Sequence, residues 1–213
     1  MRQFAFLALF FAYQVNAQDI SGVGRIEYET GSSCSAVLIE PDVVATAAHC
    51  AGKDPATGVV FRPSDLRGGR LFPVERFVSH PLYNSSARIE WQYRFDIAVA
   101  KLAEPVPATR AQPLPLGEDA ETGERVFVVS WRGGDDRLRQ RACSVIDGIP
   151  GLVTLGCEVR GGESGAPVIR KTDDGLEIVA IISSRTRLLE QPVAQASNVR
   201  LRIPPLLNAL RSP

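Results

Sequence analysis

The chain has 213 residues, of which 45% are hydrophobic and 23% charged, so it can bury a sizeable core in one or two compact domains. Its 24 basic and 24 acidic residues balance, which gives no strong field toward nucleic acid or an anionic membrane. We therefore expect no nucleic-acid partner.

The first 17 residues have the pattern of a secretory signal peptide. Arg2 provides a positive start, and residues 4–12 form an apolar run that is too short to span a bilayer. Val-Asn-Ala at residues 15–17 has the small residues of a cleavage site. This predicts cleavage of residues 1–17 and a secreted or periplasmic mature domain, residues 18–213, without a stable membrane anchor. A buried N-terminal strand is the alternative.

Export fits the four cysteines, an even number in an oxidising compartment. These cysteines are Cys34, Cys50, Cys143 and Cys157. Four cysteines allow three pairings, and the residues alone leave the pairing open. Metal binding is the competing use of Cys and His, but the sequence has no CxxC or HxxxH pair. We therefore expect no metal site.

Short apolar segments separated by Gly and Pro turns predict an all-β architecture. In the first half the predicted strands are Gly24–Tyr28, Ser35–Glu40, Val43–Thr46, Val59–Arg62, Arg70–Ser79 and Ile97–Leu102. One of only two histidines, His49, follows the third of these strands. Asp96 opens the last one, where a carboxylate is costly to bury unless it is paired or hydrogen-bonded.

The composition changes after residue 103. Residues 104–115 contain four prolines, which predicts an extended connection rather than a sheet interior. The strands predicted beyond it are Glu124–Trp131, Arg139–Ile146, Leu152–Val159, Ala166–Arg170, Glu177–Ser184 and Ser197–Ile203. A short helix, Leu206–Leu210, is predicted after two prolines.

A glycine-rich stretch, residues 161–167 (GGESGAP), surrounds Ser164. Such a turn can expose the hydroxyl and point backbone N–H groups at one spot, the geometry of a nucleophile beside an oxyanion hole. An ordinary glycine-rich hairpin turn is the alternative. An imidazole such as His49 can activate a serine, and a buried carboxylate such as Asp96 can fix the imidazole tautomer.

The segments TAAHC, DIAV and GESGAP resemble the three signature segments of trypsin-like (chymotrypsin-fold) serine proteases, over residues 24–205. The family usually has GDSGGP, so Glu163 and Ala166 are departures. The resemblance implies two six-stranded antiparallel β-barrels with the active site between them and a short C-terminal helix. The expected divisions are a first barrel at about 20–103, a linker at about 104–119 and a second barrel at about 120–203.

The resemblance also implies an exported serine endopeptidase that acts on proteins or peptides as a monomer, without a cofactor. It assigns His49, Asp96 and Ser164 as catalytic residues, and the N–H groups of Gly162 and Ser164 as the oxyanion hole. The family commonly bridges the positions of Cys34 and Cys50 beside the histidine, which leaves Cys143 and Cys157 for each other.

The resemblance places Glu158, six residues before Ser164, at the base of the pocket for the substrate side chain. An acid there implies a preference for Arg or Lys before the scissile bond. Ser183 matches the strand that binds the substrate backbone. Arg160 replaces the cysteine that usually frames the pocket, and Arg185 could instead pair with Glu158 and fill it.

The amino-terminal segment differs from that of many family members. In those proteins, cleavage frees an Ile-Val-Gly-Gly terminus, and its amine pairs with the aspartate before the nucleophile. Residues 20–23 (Ile-Ser-Gly-Val) match only in part, and Glu163 replaces the aspartate. The short front end resembles bacterial glutamyl-endopeptidase-like members. Two other classes are a catalytically silent homologue that binds a partner, and an α/β-hydrolase esterase. Ala166 and the chain order of the triad both oppose the esterase.

Overall fold

The structure is a computed structural model that describes residues 20–51, 56–64, 69–133 and 137–212. The predicted signal peptide, residues 1–17, lies outside the described residues. Within them the chain forms two closed six-stranded antiparallel barrels, followed by a short C-terminal helix. The predicted all-β fold class is confirmed.

The first barrel contains six strands, which neighbour one another in the order β1-β2-β3-β6-β5-β4. Their bounds are β1 Val23–Tyr28, β2 Ser33–Glu40, β3 Val43–Thr46, β4 Val59–Pro63, β5 Phe72–Ser79 and β6 Ala98–Leu102. A 3-10 turn, Ala48–Cys50, follows β3, and a helix, α1 (Ile89–Phe95), precedes β6. Both insertions lie at the ends of barrel strands.

The second barrel contains the other six strands, in the order β10-β11-β12-β9-β8-β7. Their bounds are β7 Arg125–Trp131, β8 Leu138–Ile149, β9 Leu152–Leu155, β10 Pro167–Thr172, β11 Gly175–Leu188 and β12 Gln191–Asn198. The chain ends in α2, Ile203–Arg211, which starts with prolines in its first turn. Proline suits that position because the first helical N–H groups have no intrahelical acceptor.

Several strands are buried on both faces, because their side chains fill the interior of one barrel and also pack against the other barrel. In β2, Ala36 and Leu38 belong to the apolar cluster of the first barrel, whereas Val37 belongs to a cluster shared by both barrels. The shared cluster also contains Ile169 and Ile181 of the second barrel and the buried face of α2. This shared core holds the two walls of the cleft together.

One local prediction was wrong, and one helix was not predicted. The last strand was predicted at Ser197–Ile203, but β12 ends at Asn198 and Leu201 is 71% exposed. The apolar alternation of Val199, Leu201 and Ile203 belongs to a turn, in which the Val199 carbonyl accepts the N–H groups of Arg202 and Ile203. No helix was predicted at α1. No helix in the described residues has the length and apolar character needed to cross a membrane.

Candidate active site

Three loops meet at the cleft between the barrels, and each carries one predicted catalytic residue. His49 lies in the 3-10 turn after β3, Asp96 directly follows α1, and Ser164 lies in the loop between β9 and β10. All three line one cavity of about 340 Å³. The loop ends of both barrels therefore bring together residues that are 115 positions apart in the sequence (from 49 to 164).

His49 and Asp96 form a tightly bonded pair. The Nδ1 atom of His49 lies 2.6 Å from Oδ2 of Asp96, and the backbone N–H of His49 donates to Oδ1 at 2.8 Å. Asp96 is only 3% exposed, and the buried hydroxyl of Ser183 donates to its Oδ2 at 2.5 Å. Because an ionised carboxylate only accepts hydrogen bonds, a neutral imidazole in this pair donates from Nδ1 and keeps the lone pair of Nε2 free. The pair is thus arranged so that His49 can act as a base.

The second barrel holds the end of α1 and therefore the position of Asp96. The carbonyl of Arg94 accepts hydrogen bonds from the Ser197 hydroxyl at 2.8 Å and from Nε of Arg202 at 2.7 Å. The Arg202 guanidinium also lies 5.0 Å from the centre of the Phe95 ring. The two hydrogen bonds satisfy a carbonyl that has no partner within the helix. The partial negative charge at the C-terminus of the helix also favours the Arg202 cation there.

A disulfide holds the turn that carries His49. Cys34 of β2 is bonded to Cys50, and Cys143 of β8 is bonded to Cys157, so both predicted bridges are present. Tyr28 donates its hydroxyl to the carbonyl of Cys50. Burial raises the pKa of Tyr28 to about 12, so this hydroxyl stays protonated. The two contacts fix the turn against β1 and β2.

Glycine is required at two positions of the Ser164 loop. Gly162 has φ +88°, and a Cβ there would lie 2.2 Å from the backbone nitrogen of Gly133. Gly165 has φ +80°, and its Cβ would lie 2.1 Å from the carbonyl oxygen of Ser35. Since both positions combine a left-handed conformation with a backbone neighbour, side chains are excluded. The glycines let the loop pack tightly between the barrels.

The backbone N–H groups of this loop divide into two sets. Those of Glu163, Gly165 and Ala166 donate to protein carbonyls. Within the described residues, the backbone N–H groups of Gly162 and Ser164 have no protein acceptor. Meanwhile the carbonyls of Gly162 and Ser164 accept the N–H of Ser35, at 3.0 and 2.8 Å. An oxyanion hole needs two such available donors near the nucleophile.

The predicted specificity residues lie in two different places. Glu158 lines a neighbouring cavity of about 620 Å³ with Arg185, and its carboxylate lies 3.3 Å from Nε of Arg160. Ser183 lines the central cavity, but its hydroxyl is committed to Asp96. Arg160 and Arg185 line the central cavity, and Arg185 borders both. The role of Glu158 therefore stays a prediction.

Two titratable side chains beside the cleft have shifted pKa values. Burial raises the pKa of Tyr83, which lines the central cavity, and the charge of Asp96 adds to the shift. Burial lowers the pKa of His80, and the charge of Arg202 lowers it further. The His80 ring stacks on Phe95 at 4.8 Å, so the second histidine packs behind the site.

Sequence reasoning missed several residues of this site. It assigned Ser183 to the substrate and did not identify it as the partner of Asp96. It also missed Ser35, whose N–H and hydroxyl hold the Ser164 loop, and the Tyr83 and Tyr93 side chains that line the cleft. A buried serine has no sequence pattern that distinguishes it from other serines. Tyr93 lies on a helix that was not predicted, and Tyr83 lies in the loop before that helix.

Comparisons with known proteins agree with this geometry. The sequence profile of the Trypsin family matches residues 11–148, which include His49 and Asp96 and end before Ser164. A trypsin of Simulium vittatum is 32% identical over 126 residues, covering 56% of this chain and 47% of that protein. Human kallikrein-2 is 27% identical over 172 residues, covering 64% of this chain and 65% of that protein.

A third relative is the mouse transmembrane protease serine 11E, which is 30% identical over 117 residues, half of this chain and 26% of that protein. The chain thus spans about half of the trypsin and less than two thirds of the kallikrein. The profile match covers more than half of the chain, and the two barrels have the fold that it implies. The chain therefore belongs to the trypsin family of serine proteases.

Proposed function

We propose that this protein is a serine endopeptidase whose catalytic triad is His49, Asp96 and Ser164. The observation that carries the proposal is the bonded His49–Asp96 pair in the same cavity as Ser164. Ser164 Oγ attacks the scissile carbonyl while Nε2 of His49 takes its proton. The proton then passes to the leaving amine as the C–N bond breaks, and water hydrolyses the acyl-enzyme by the same route.

The oxyanion formed in this attack is bound by the N–H groups of Gly162 and Ser164. Their lack of another acceptor among the described residues supports this role. Fixed donors in a cleft stabilise developing charge without reorganising, and losing one such donor costs about 3–4 kcal/mol in related sites. The tight packing around Gly162 keeps its N–H in place.

The proposal includes a preference for Arg or Lys before the scissile bond, through Glu158. The Glu158 side chain is 47% exposed, and its ion pair with Arg160 lies in solvent. Such a pair contributes about 1 kcal/mol or less, so a basic substrate side chain can replace Arg160 as the partner. Arg185, which has no ion pair among the described residues, opposes this preference by its charge.

The proposal also includes export, with cleavage after Ala17 and a protein or peptide as substrate. Two disulfides in a chain without free cysteines among its described residues fit an oxidising compartment. N-terminal sequencing of protein recovered from the medium or periplasm measures the cleavage site. We expect the sequence to begin at Gln18, or a little later if a short propeptide is also removed, and a protein that keeps Met1 would contradict export.

The experiment that tests the activity combines covalent labelling with cleavage profiling on a peptide library. A fluorophosphonate probe should label the parent at Ser164 and leave Ser164→Ala unlabelled, and the parent should cleave peptides. A parent protein with normal circular dichroism that neither reacts with the probe nor cleaves any peptide would refute the proposal. That result would favour the catalytically silent, partner-binding alternative.

A further inference from the structure

The acid beside the proposed nucleophile is completely buried. Glu163 has 0% exposed surface and does not line the central cavity. Burying a carboxylate is costly unless its oxygens are hydrogen-bonded and its charge is balanced. The groups that satisfy Glu163 therefore show what this residue holds in place.

Each oxygen of the Glu163 carboxylate has its own partner in the second barrel. The Ser130 hydroxyl of β7 donates to Oε1 at 2.7 Å. The backbone N–H of Arg160 donates to Oε2 at 2.6 Å, and Nη1 of Arg141 on β8 lies 3.7 Å from the same oxygen. Ser130 is itself only 1% exposed. The carboxylate thus has two short hydrogen bonds and a balancing cation.

Two hydrogen bonds between Arg160 and Glu163 close a ring just before Ser164 in the sequence. Glu163 accepts the N–H of Arg160 with its side chain and donates its own N–H to the Arg160 carbonyl at 3.0 Å. The ring holds the peptide group between Gly162 and Glu163, and the Glu163 carbonyl in the next peptide group accepts the N–H of Ala166 at 3.1 Å. Those peptide groups carry the carbonyl of Gly162 and the N–H of Ser164.

The opposite side of the loop is held from the first barrel. Ser35 of β2 donates its N–H to the carbonyls of Gly162 and Ser164, and its hydroxyl lies 3.0 Å from the Gly162 oxygen. The same hydroxyl accepts the N–H of Trp131, the residue that follows Ser130. The loop is therefore clamped between Ser35 and the Glu163 network.

We propose that Glu163 is a positioning residue, which fixes the oxyanion donors and Ser164 through Ser130, the Arg160 amide and Arg141. This inference rests on the proposed protease function. All of these partners lie in the described part of the second barrel, and they satisfy both oxygens of the carboxylate. The site should consequently form whether or not the amino-terminal amine is free.

The test compares kcat and KM on one peptide amide substrate, with labelling rates for a fluorophosphonate probe. Glu163→Gln and Ser130→Ala should each lower kcat about tenfold, and Glu163→Ala about 100-fold, the loss expected when one oxyanion donor is misplaced. KM should stay within about twofold, because binding in the cleft is not the step affected. Arg141→Lys should keep the parent kcat, whereas Arg141→Gln should lower it.

The matched control is Glu190→Gln, because this acid is 91% exposed in the β11–β12 turn and should leave kcat unchanged. A form extended by two residues at its mature amino terminus should also keep the parent kcat. If Ser130→Ala and Glu163→Gln lower only the melting temperature, Glu163 is structural and the inference is wrong. Loss of activity in the extended form would overturn it too, whereas an unreactive parent would refute the proposed function itself.

Discussion

Replacing Asp96 by asparagine tests how the buried carboxylate sets the state of His49. Asp96 accepts the backbone N–H of His49 on Oδ1, and both Nδ1 of His49 and the Ser183 hydroxyl on Oδ2. Asparagine has the same size but only one acceptor oxygen, and its NH₂ group has to face one side of this set.

The two orientations of the amide differ in cost. If NH₂ faces the backbone N–H of His49, two donors oppose each other in a buried site, which costs about 1–3 kcal/mol. If NH₂ faces Nδ1 and Ser183 instead, both of these groups can become acceptors. The imidazole moves its proton from Nδ1 to Nε2, and the Ser183 hydroxyl rotates so that its oxygen accepts from the amide. The second orientation is therefore favoured, and it leaves Nε2 without the lone pair that takes the Ser164 proton in the proposed mechanism.

We therefore expect Asp96→Asn to lower kcat by about 10⁴, as for the corresponding change in this type of triad. That factor equals about 5.4 kcal/mol of transition-state stabilisation. Steady-state hydrolysis of a peptide amide measures it, with thermal unfolding as a check on folding. Ser183→Ala is the control: it keeps the carboxylate and should cost only about tenfold. A folded Asp96→Asn protein within tenfold of the parent would refute the tautomer argument.

Three further predictions concern the nucleophile, the specificity pocket and stability. Ser164→Ala and His49→Ala should each lower hydrolysis by several orders of magnitude, and the double variant should cost little more, because the two residues act as a unit; a double variant many times slower than either single one would contradict this. Glu158→Gln should lose cleavage after Arg and Lys while retaining cleavage after apolar residues, as read from a peptide library; an unchanged profile would place the pocket floor elsewhere. The bidentate hydrogen bonds from Arg170 hold the pKa of Glu124 below its ordinary value of 4.5, so the stabilisation is full above pH 4.5 and is lost as the pH falls through the folded-state pKa. Glu124→Gln should thus lower the free energy of unfolding by about 1–2 kcal/mol at pH 7 and by much less near pH 3, which chemical denaturation at both pH values measures; an equal loss at both would exclude the ion pair as the cause.

The parts of the site that the sequence predicts are those carried by short, local patterns. His49, Asp96 and Ser164 stand in recognisable segments, and the fold brings all three to one cavity. The residues left the cysteine pairing open, and the family resemblance supplied the two bridges that the structure contains. The all-β class followed from the short apolar segments between Gly and Pro turns.

The remaining parts depend on which distant elements meet. Ser183 is one of many serines, and only the pairing of barrel ends brings its hydroxyl to Asp96. The strand β12 was missed because its residues QPVAQASN are weakly apolar, and their pairing with β9 and β11 supplies the order. In α1, aromatic and β-branched residues favour a strand locally, but packing of Trp91 on Phe95 fits a helix.

The C-terminal helix has a consequence for the order in which the molecule is made. The buried face of α2, formed by Ile203, Leu206 and Leu210, packs in the cluster shared by both barrels, and the helix contacts β5 and β6 of the first barrel. Arg76 of β5 donates to the Leu210 carbonyl near the end of α2. The barrel that leaves the ribosome first is therefore completed by a segment that is synthesised after the second barrel. The first barrel is expected to finish folding only after α2 has been synthesised, and a nascent chain that stops before α2 keeps apolar surface of its first barrel exposed.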